Sequence, residues 1–200
     1  MRRFGLTPAE ATRLSRLSPP WRIQRFLDEL EYDVRGEGCR SPRRVLSERK
    51  VQCMDGALFA AGALRVQGHR PLILDLEAVQ DDDHVLALYR VNGRWGSIAR
   101  SNYSGLRFRE PLFATVRDLV LSYVESYFNL RREKTLRRYS SPFDLSRFDP
   151  ETTNLHLVIG TTREEQLAVL RPARQVTRPV HATTERARHE PLRRQPRPPR

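Results

Sequence analysis

The apolar positions of the first half of the chain recur at helical spacing, in segments separated by Pro and Gly. Thr7-Pro8-Ala9-Glu10 reads as a capping box with Pro at the first helical position, so a short helix starts there and Pro19-Pro20 ends it. Ile23, Phe26, Leu27 and Leu30 then predict an amphipathic helix from about Trp21 to Glu31. Gly36 and Gly38 mark a loop, and Ser41-Pro42 caps a third, shorter helix carrying Val45 and Leu46. From Cys53 the character changes. Ala57, Leu58, Ala60, Ala61, Ala63 and Leu64 cover more than one stripe, and a helix apolar nearly all round is a buried one. Gly68 is its expected C-terminal stop, and Cys53 falls in its first turn.

Strand signals follow. Leu72–Leu76 and His84–Tyr89 are short apolar runs, and Asn92-Gly93 is a two-residue hairpin turn that returns the chain through Arg94–Ala99. Leu106–Arg109 adds a candidate strand, and Pro111 precedes a long helix over about Ala114–Phe128, with Val116, Leu119, Val120, Tyr123, Val124 and Tyr127 facing inward. After Asn129 the pattern weakens: Leu155–Ile159 reads as a last strand, 163–170 as a short helix or linker. Together these elements predict one α+β domain over residues 1–162, a helical N-terminal half followed by an antiparallel sheet with the Cys53 helix packed on its face.

Composition changes this picture at the C-terminus. Residues 171–200 hold nine Arg against two acidic residues, and six of the fourteen Pro, so the segment carries +7 of the net +12. With no aromatic side chain it buries too little to offset its ordering entropy, and it reads as a disordered tail. Clustered Arg neutralises phosphates, so weak nonspecific nucleic-acid contact through the tail is expected. Of the 36 basic residues only Lys50 and Lys134 are lysines, a skew typical of coding bias, and Arg40, Arg43, Arg44 and Arg49 are scattered through the folded part without a zinc-finger or RNA-binding signature. Two cysteines exclude a disulfide framework and a Cys-rich zinc site. The N-terminus lacks an apolar signal region, and no run approaches the ~18 apolar residues of a membrane span. The expectation is a cytoplasmic protein with reduced thiols, no membrane partner and no cofactor.

Cys53 and His84 carry the candidate chemistry. A helix-start cysteine faces free backbone N–H groups and the positive end of the helix dipole, which predicts a lowered pKa, aided by Arg49 and Lys50 and opposed by Asp55. Cysteine is also among the most buried residue types, so a plain core position is the alternative. His84 opens a strand behind Asp81-Asp82-Asp83, and an imidazole within reach of the thiol takes its proton and returns it to a leaving group. Asp81, Asp82 or Asp83 with His84 could instead begin a metal site, but no second cluster completes a shell. His69, His156, His181 and His189 lie in turn, late or tail positions.

Cys53-Met-Asp-Gly-Ala, Asp81-Asp-Asp-His84, Trp95-Gly-Ser-Ile and Arg109-Glu-Pro111, in that order, resemble an uncharacterised bacterial branch of the transglutaminase-like superfamily of cysteine-protease-fold proteins. The resemblance spans roughly Ser41 to Tyr139. It implies a transglutaminase-like or papain-like core, with Cys53 as nucleophile and His84 as base. The Asp that commonly orients the imidazole in that family, four residues after the hairpin Trp, is replaced by Ala99, and Val51-Gln52-Cys53-Met54 stands where many members have Gly-x-Cys-Trp. Asn102 is the candidate for the third role, as an Asn serves in papain-like triads, with Ser101 and Asp82 behind it.

The resulting expectation is a thiol-dependent amide hydrolase or acyl transferase acting on a peptide or protein amide. A catalytically inactive binding module of the same fold is the alternative, and a basic-tail nucleic-acid-associated protein a third. Deleting 171–200 removes +7 of charge. Elution from heparin should therefore shift to much lower salt while the melting temperature stays unchanged. Unfolding on deletion, or unaltered elution, would place the basic surface or the domain boundary elsewhere.

Overall fold

The computed structural model describes residues 6–35, 39–148 and 164–166. Helices α1 (Pro8–Ser15) and α2 (Pro20–Asp28) come first, then β1 (Glu31–Tyr32), α3 (Pro42–Glu48) and β2 (Lys50–Val51). The central helix α4 (Cys53–Val66) leads into strands β3 (Leu72–Ala78), β4 (His84–Val91), β5 (Arg94–Ile98) and β6 (Arg109–Phe113). Helix α5 (Val116–Val124) precedes β7 (Leu136–Ser140), β8 (Phe143–Asp144) and β9 (Glu164–Gln166). The main sheet is antiparallel in the order β6-β5-β4-β3-β7-β9, with β8 also on β3; β1 and β2 form a separate parallel pair. The protein is thus a mixed α+β structure with five α-helices among the described residues.

The caps read from the sequence are present. Thr7 Oγ1 accepts from the Glu10 amide at 3.3 Å while Glu10 Oε2 accepts from the Thr7 amide at 2.6 Å, and Ser41 Oγ accepts from the Arg44 amide at 3.4 Å. Gly68 follows α4 with φ +91°, a conformation that costs little only for glycine.

Helix α4 is the centre of the molecule. Every residue from Met54 to Leu64 is buried, between α1, α2 and α3 on one side and the β3–β4–β5 surface on the other. The sheet divides the apolar side chains by parity. Ile73 of β3 and Val85, Ala87 and Tyr89 of β4 join the α4 layer, whereas Leu72, Leu74 and Leu76 of β3 and Leu86 and Leu88 of β4 join the α5 layer.

A buried ionic knot pins the start of α4. Asp55, fully buried at its third position, accepts from the Arg40 amide at 2.6 Å, the Gln52 amide at 3.1 Å and Arg40 Nη1 at 3.1 Å. Arg40 also reaches Asp33 at 2.8 Å and Glu48 at 2.7 Å. Gly56 completes the fit: a Cβ there would come within 2.7 Å of Arg100 Cβ, so only glycine lets the segment after β5 cross this close to the helix.

Three expectations are corrected. The long helix is shorter, Val116–Val124 instead of about Ala114–Phe128, because Thr115 is the N-cap with Asp118 closing the capping box. The strand expected at Leu106–Arg109 starts only at Arg109; Ser104–Leu106 is a 3-10 turn. Glu164–Gln166, within the short helix or linker expected at 163–170, is a strand beside β7; the backbone donors and acceptors on the free edge of β7 bind a short extended segment that has little to gain as an isolated helical turn. The strand expected at Leu155–Ile159 and the tail at 171–200 lie outside the described residues. No helix among the described residues is long and apolar enough to cross a membrane.

Removing the Asp55 carboxylate strands the backbone amides of Arg40 and Gln52 in the interior and takes one of three carboxylates from the Arg40 guanidinium. Asp55→Ala should cost about 3–5 kcal/mol of unfolding free energy in urea, and Asp55→Asn clearly less. A loss below ~1 kcal/mol for the alanine variant would show that the knot does not hold the helix start.

Candidate active site

Cys53 is the first residue of α4, held there by the Asp55 knot, and it is half-buried. The backbone N–H groups of Val85 and Met54 lie close enough to favour the charged form of its sulfur. The thiol therefore rests against the first turn of its own helix and the opening of β4, one residue beyond His84. A cavity of about 1220 Å³ opens at this end of the sheet, lined among others by Gln52, Cys53, His84, Asn102, Leu106 and Tyr127. All three residues singled out in the sequence, Cys53, His84 and Asn102, thus border one space.

His84 is buried and has the parity of Leu86 and Leu88, so its ring lies in the α5 layer and meets the cavity around the end of β4. Its hydrogen bond, at 2.8 Å, joins Nε2 to the carbonyl oxygen of Leu106 and not to the Cys53 thiol. A carbonyl only accepts, so Nε2 carries the proton and Nδ1 keeps the basic lone pair. Burial pushes the imidazole pKa down to about 4, outweighing the Leu106 contact that favours the charged form.

The loop that supplies this carbonyl is strapped in place. Tyr123 Oη donates to the Arg107 carbonyl at 2.6 Å and bonds Ser97 Oγ at 2.8 Å. Arg109 lies over the Tyr123 ring at 3.9 Å, donates to the Gly105 carbonyl at 2.7 Å and reaches Ser122 Oγ at 2.9 Å. Gly105 permits the crossing, since a Cβ there would come within 2.5 Å of Ser126 Oγ. Arg107 Nε and Arg100 Nη1 both donate to the Ser101 carbonyl, at 2.8 and 2.7 Å. The Leu106 carbonyl was invisible in the sequence, because a backbone oxygen in a loop has no residue signature. The only hint was Arg109, in a motif noted for its resemblance and not for its contacts.

Asn102 is exposed at the cavity, and Ser101 is buried with its hydroxyl accepting from the Tyr103 amide at 3.0 Å. The imidazole is oriented by the Leu106 carbonyl instead of by the Asn102 amide. Ala99 lies wholly inside the α5 layer, with its N–H and C=O both bonded to the Gln24 side chain, at 3.1 and 2.9 Å. The acidic run is largely engaged locally: Asp81 Oδ2 accepts from Thr135 Oγ1 at 2.8 Å, Asp83 Oδ1 from the Ala78 amide at 2.8 Å, and the Asp82 carbonyl from Tyr127 Oη.

The expected lowering of the Cys53 pKa is overturned. Burial raises it, and Asp75 and Asp55 raise it further, while the amides of Val85 and Met54 only partly compensate. The supporting cations are directed elsewhere: Lys50 pairs with Glu31 at 3.2 Å and Asp33 at 3.6 Å, and the Arg49 guanidinium stacks over Phe26 at 5.1 Å. Cys39, the second thiol, is pushed up to about 12 by its own burial. At rest the cavity is therefore bordered by a neutral thiol from the α4 layer and a neutral imidazole from the α5 layer.

A base whose folded pKa is depressed contributes stability that is complete above the unfolded value of ~6.5 and is lost as pH falls towards 4. His84 should thus account for roughly 3 kcal/mol of acid destabilisation between those limits. Asp75, whose pKa is raised to about 7, acts in the opposite sense over part of that range, so the quantity to measure is the difference in stability between wild type and His84→Asn. That difference should narrow from pH 7 to pH 4. A constant gap would mean that the ring accepts a proton freely.

Neither a scan of protein-family models nor a search of curated proteins finds a match to this chain.

Proposed function

We propose that the chain is a thiol-dependent acyl-transfer enzyme of transglutaminase-like or papain-like architecture, hydrolysing or transferring peptide or protein amides. One observation carries this reading: a helix-start thiol and an imidazole whose Nε2 is held by a strapped carbonyl border the same cavity.

The chemistry follows from the neutral resting pair. As an amide carbonyl carbon approaches Cys53, the thiol proton passes to His84 Nδ1 and the sulfur–carbon bond forms. The backbone N–H of Cys53, at the first position of α4, is the natural donor for the developing oxyanion. The imidazolium then gives its proton to the leaving amine, and water or an amine releases the acyl group from sulfur. The Leu106 carbonyl replaces the carboxylate or amide that orients the ring in related chemistry. It fixes the tautomer but adds no charge, so the imidazolium gains less than beside an aspartate. Slow turnover is the consequence.

That same feature favours a second reading, a binding module that retains the cavity. Ala99 is locked in the core by Gln24, so no side-chain carboxylate or amide from that position supports the imidazolium.

Activated esters and fluorogenic peptides distinguish the two. Wild-type protein should hydrolyse them with a rate that rises with pH above neutrality. Cys53→Ser should abolish the reaction, His84→Asn should lower kcat at least ~100-fold, and Asn102→Ala should change it less than ~10-fold. Turnover that survives Cys53→Ser, or none with any acyl donor, would leave the binding module as the function.

A further inference from the structure

The turn that meets His84 is gripped at three successive carbonyls. That of Gly105 accepts from Arg109 Nη2 at 2.7 Å, that of Leu106 meets His84 Nε2 at 2.8 Å, and that of Arg107 accepts from Tyr123 Oη at 2.6 Å. The imidazole contact therefore lies between two others that decide where the turn sits. The Arg109 grip is the more extensive of the two. Its guanidinium also donates to the Phe108 carbonyl at 3.0 Å and to the hydroxyl and carbonyl of Ser122 at 2.9 and 3.1 Å, with its carbon over the Tyr123 ring at 3.9 Å. Ser122 belongs to the last turn of α5, where carbonyls lack partners within the helix and favour a cation.

The backbone of Arg109 is equally fixed. The residue opens β6 opposite Ser97, and its own carbonyl accepts from Tyr89 Oη at 3.0 Å. Gly96 makes room for that crossing, since a Cβ there would come within 2.5 Å of Tyr89 Cζ. Arg109 thus fastens the turn before β6 both to the β5–β6 ladder and to the end of α5.

We propose that Arg109 is a positioning residue for His84: by tying the Gly105 carbonyl to the end of α5, it holds the Leu106 carbonyl on Nε2 and so leaves Nδ1 as the basic nitrogen.

The planar fork of arginine is what this task requires. It spreads donors towards four acceptors while its face lies on an aromatic ring, whereas lysine offers one compact ammonium. Arg109→Lys therefore keeps the charge and releases the turn. Once the Leu106 carbonyl moves away, the buried Nε2–H loses its acceptor, and the imidazole opens to water more often.

This inference rests on the thiol reading for its catalytic meaning, but the imidazole contact is measured without turnover. The experiment follows exchange of the His84 Nε2 proton with water by NMR of the isotope-labelled full chain at neutral pH, the signal being identified by its loss in His84→Asn. Arg109→Lys should speed that exchange at least ~10-fold. Gln67→Ala, which removes a side-chain bond to the Leu14 carbonyl at the far end of α4, should leave it unchanged. An unchanged rate in a folded Arg109→Lys protein overturns the proposal. So does an equal acceleration in Gln67→Ala, which would reveal general loosening instead of a directed grip. Ser122→Ala, a milder change that deletes one acceptor of the guanidinium, covers the case in which the lysine variant does not fold. It should speed exchange ~2–5-fold, and no change there also overturns the proposal. A wild type whose Nε2 proton exchanges as fast as that of a free imidazole would do the same, by removing the Leu106 contact itself. The expected acceleration in a chain without acyl-donor turnover would retain Arg109 as the residue that orients His84 while removing the enzyme reading.

Discussion

The structure depends on the burial of α4, a helix with no solvent face along most of its length. Small residues make that possible. Gly56 lets the segment after β5 cross at van der Waals contact, Gly62 faces Pro42 of α3 with a would-be Cβ only 3.3 Å away, and Ala57, Ala60, Ala61 and Ala63 let neighbouring elements approach on several sides. A helix with little polar surface has little to fix its axial position, and Asp55 supplies it. By accepting from Gln52 and Arg40, it sets where the first turn begins and hence where the Cys53 sulfur sits relative to β4.

Burial also sets the electrostatics. The same low-dielectric surroundings that hold the helix push the Cys53 thiol up and the His84 imidazole down, so each prefers its neutral form near neutral pH. Helix-dipole arguments from sequence predicted a lowered thiol pKa, and the structure reverses the sign because desolvation outweighs a partial charge at a helix end. In the proposed chemistry, charge separation is left to the approach of a substrate, with the Leu106 carbonyl keeping the proton on Nε2 of the imidazole.

Much of the frame was legible in the sequence for local reasons. Thr7 and Ser41 with the prolines after them, the all-round apolar run after Cys53 and the Asn92-Gly93 turn each carry their structural cause within a few residues, and each appears as read. What escaped were non-local decisions. Strand β7 carries Arg137 and Arg138 and gives no clean alternation; it exists because β3 offers it an edge. Cys53 and His84 were found because a helix start and a strand start are visible. The imidazole's partner was missed: a search for an orienting side chain led to Asn102, whereas the contact comes from the main chain.

The central claim is that Cys53 and His84 act as one chemical unit at the end of the sheet. Intact-mass analysis after brief exposure to an activated thioester tests it most directly, since it detects the acyl group on sulfur even when release is slow. The account predicts one acyl group on Cys53 at neutral pH, forming far more slowly in His84→Asn and absent on Cys39. An adduct that forms equally fast without His84, or that appears on Cys39 instead, would contradict it.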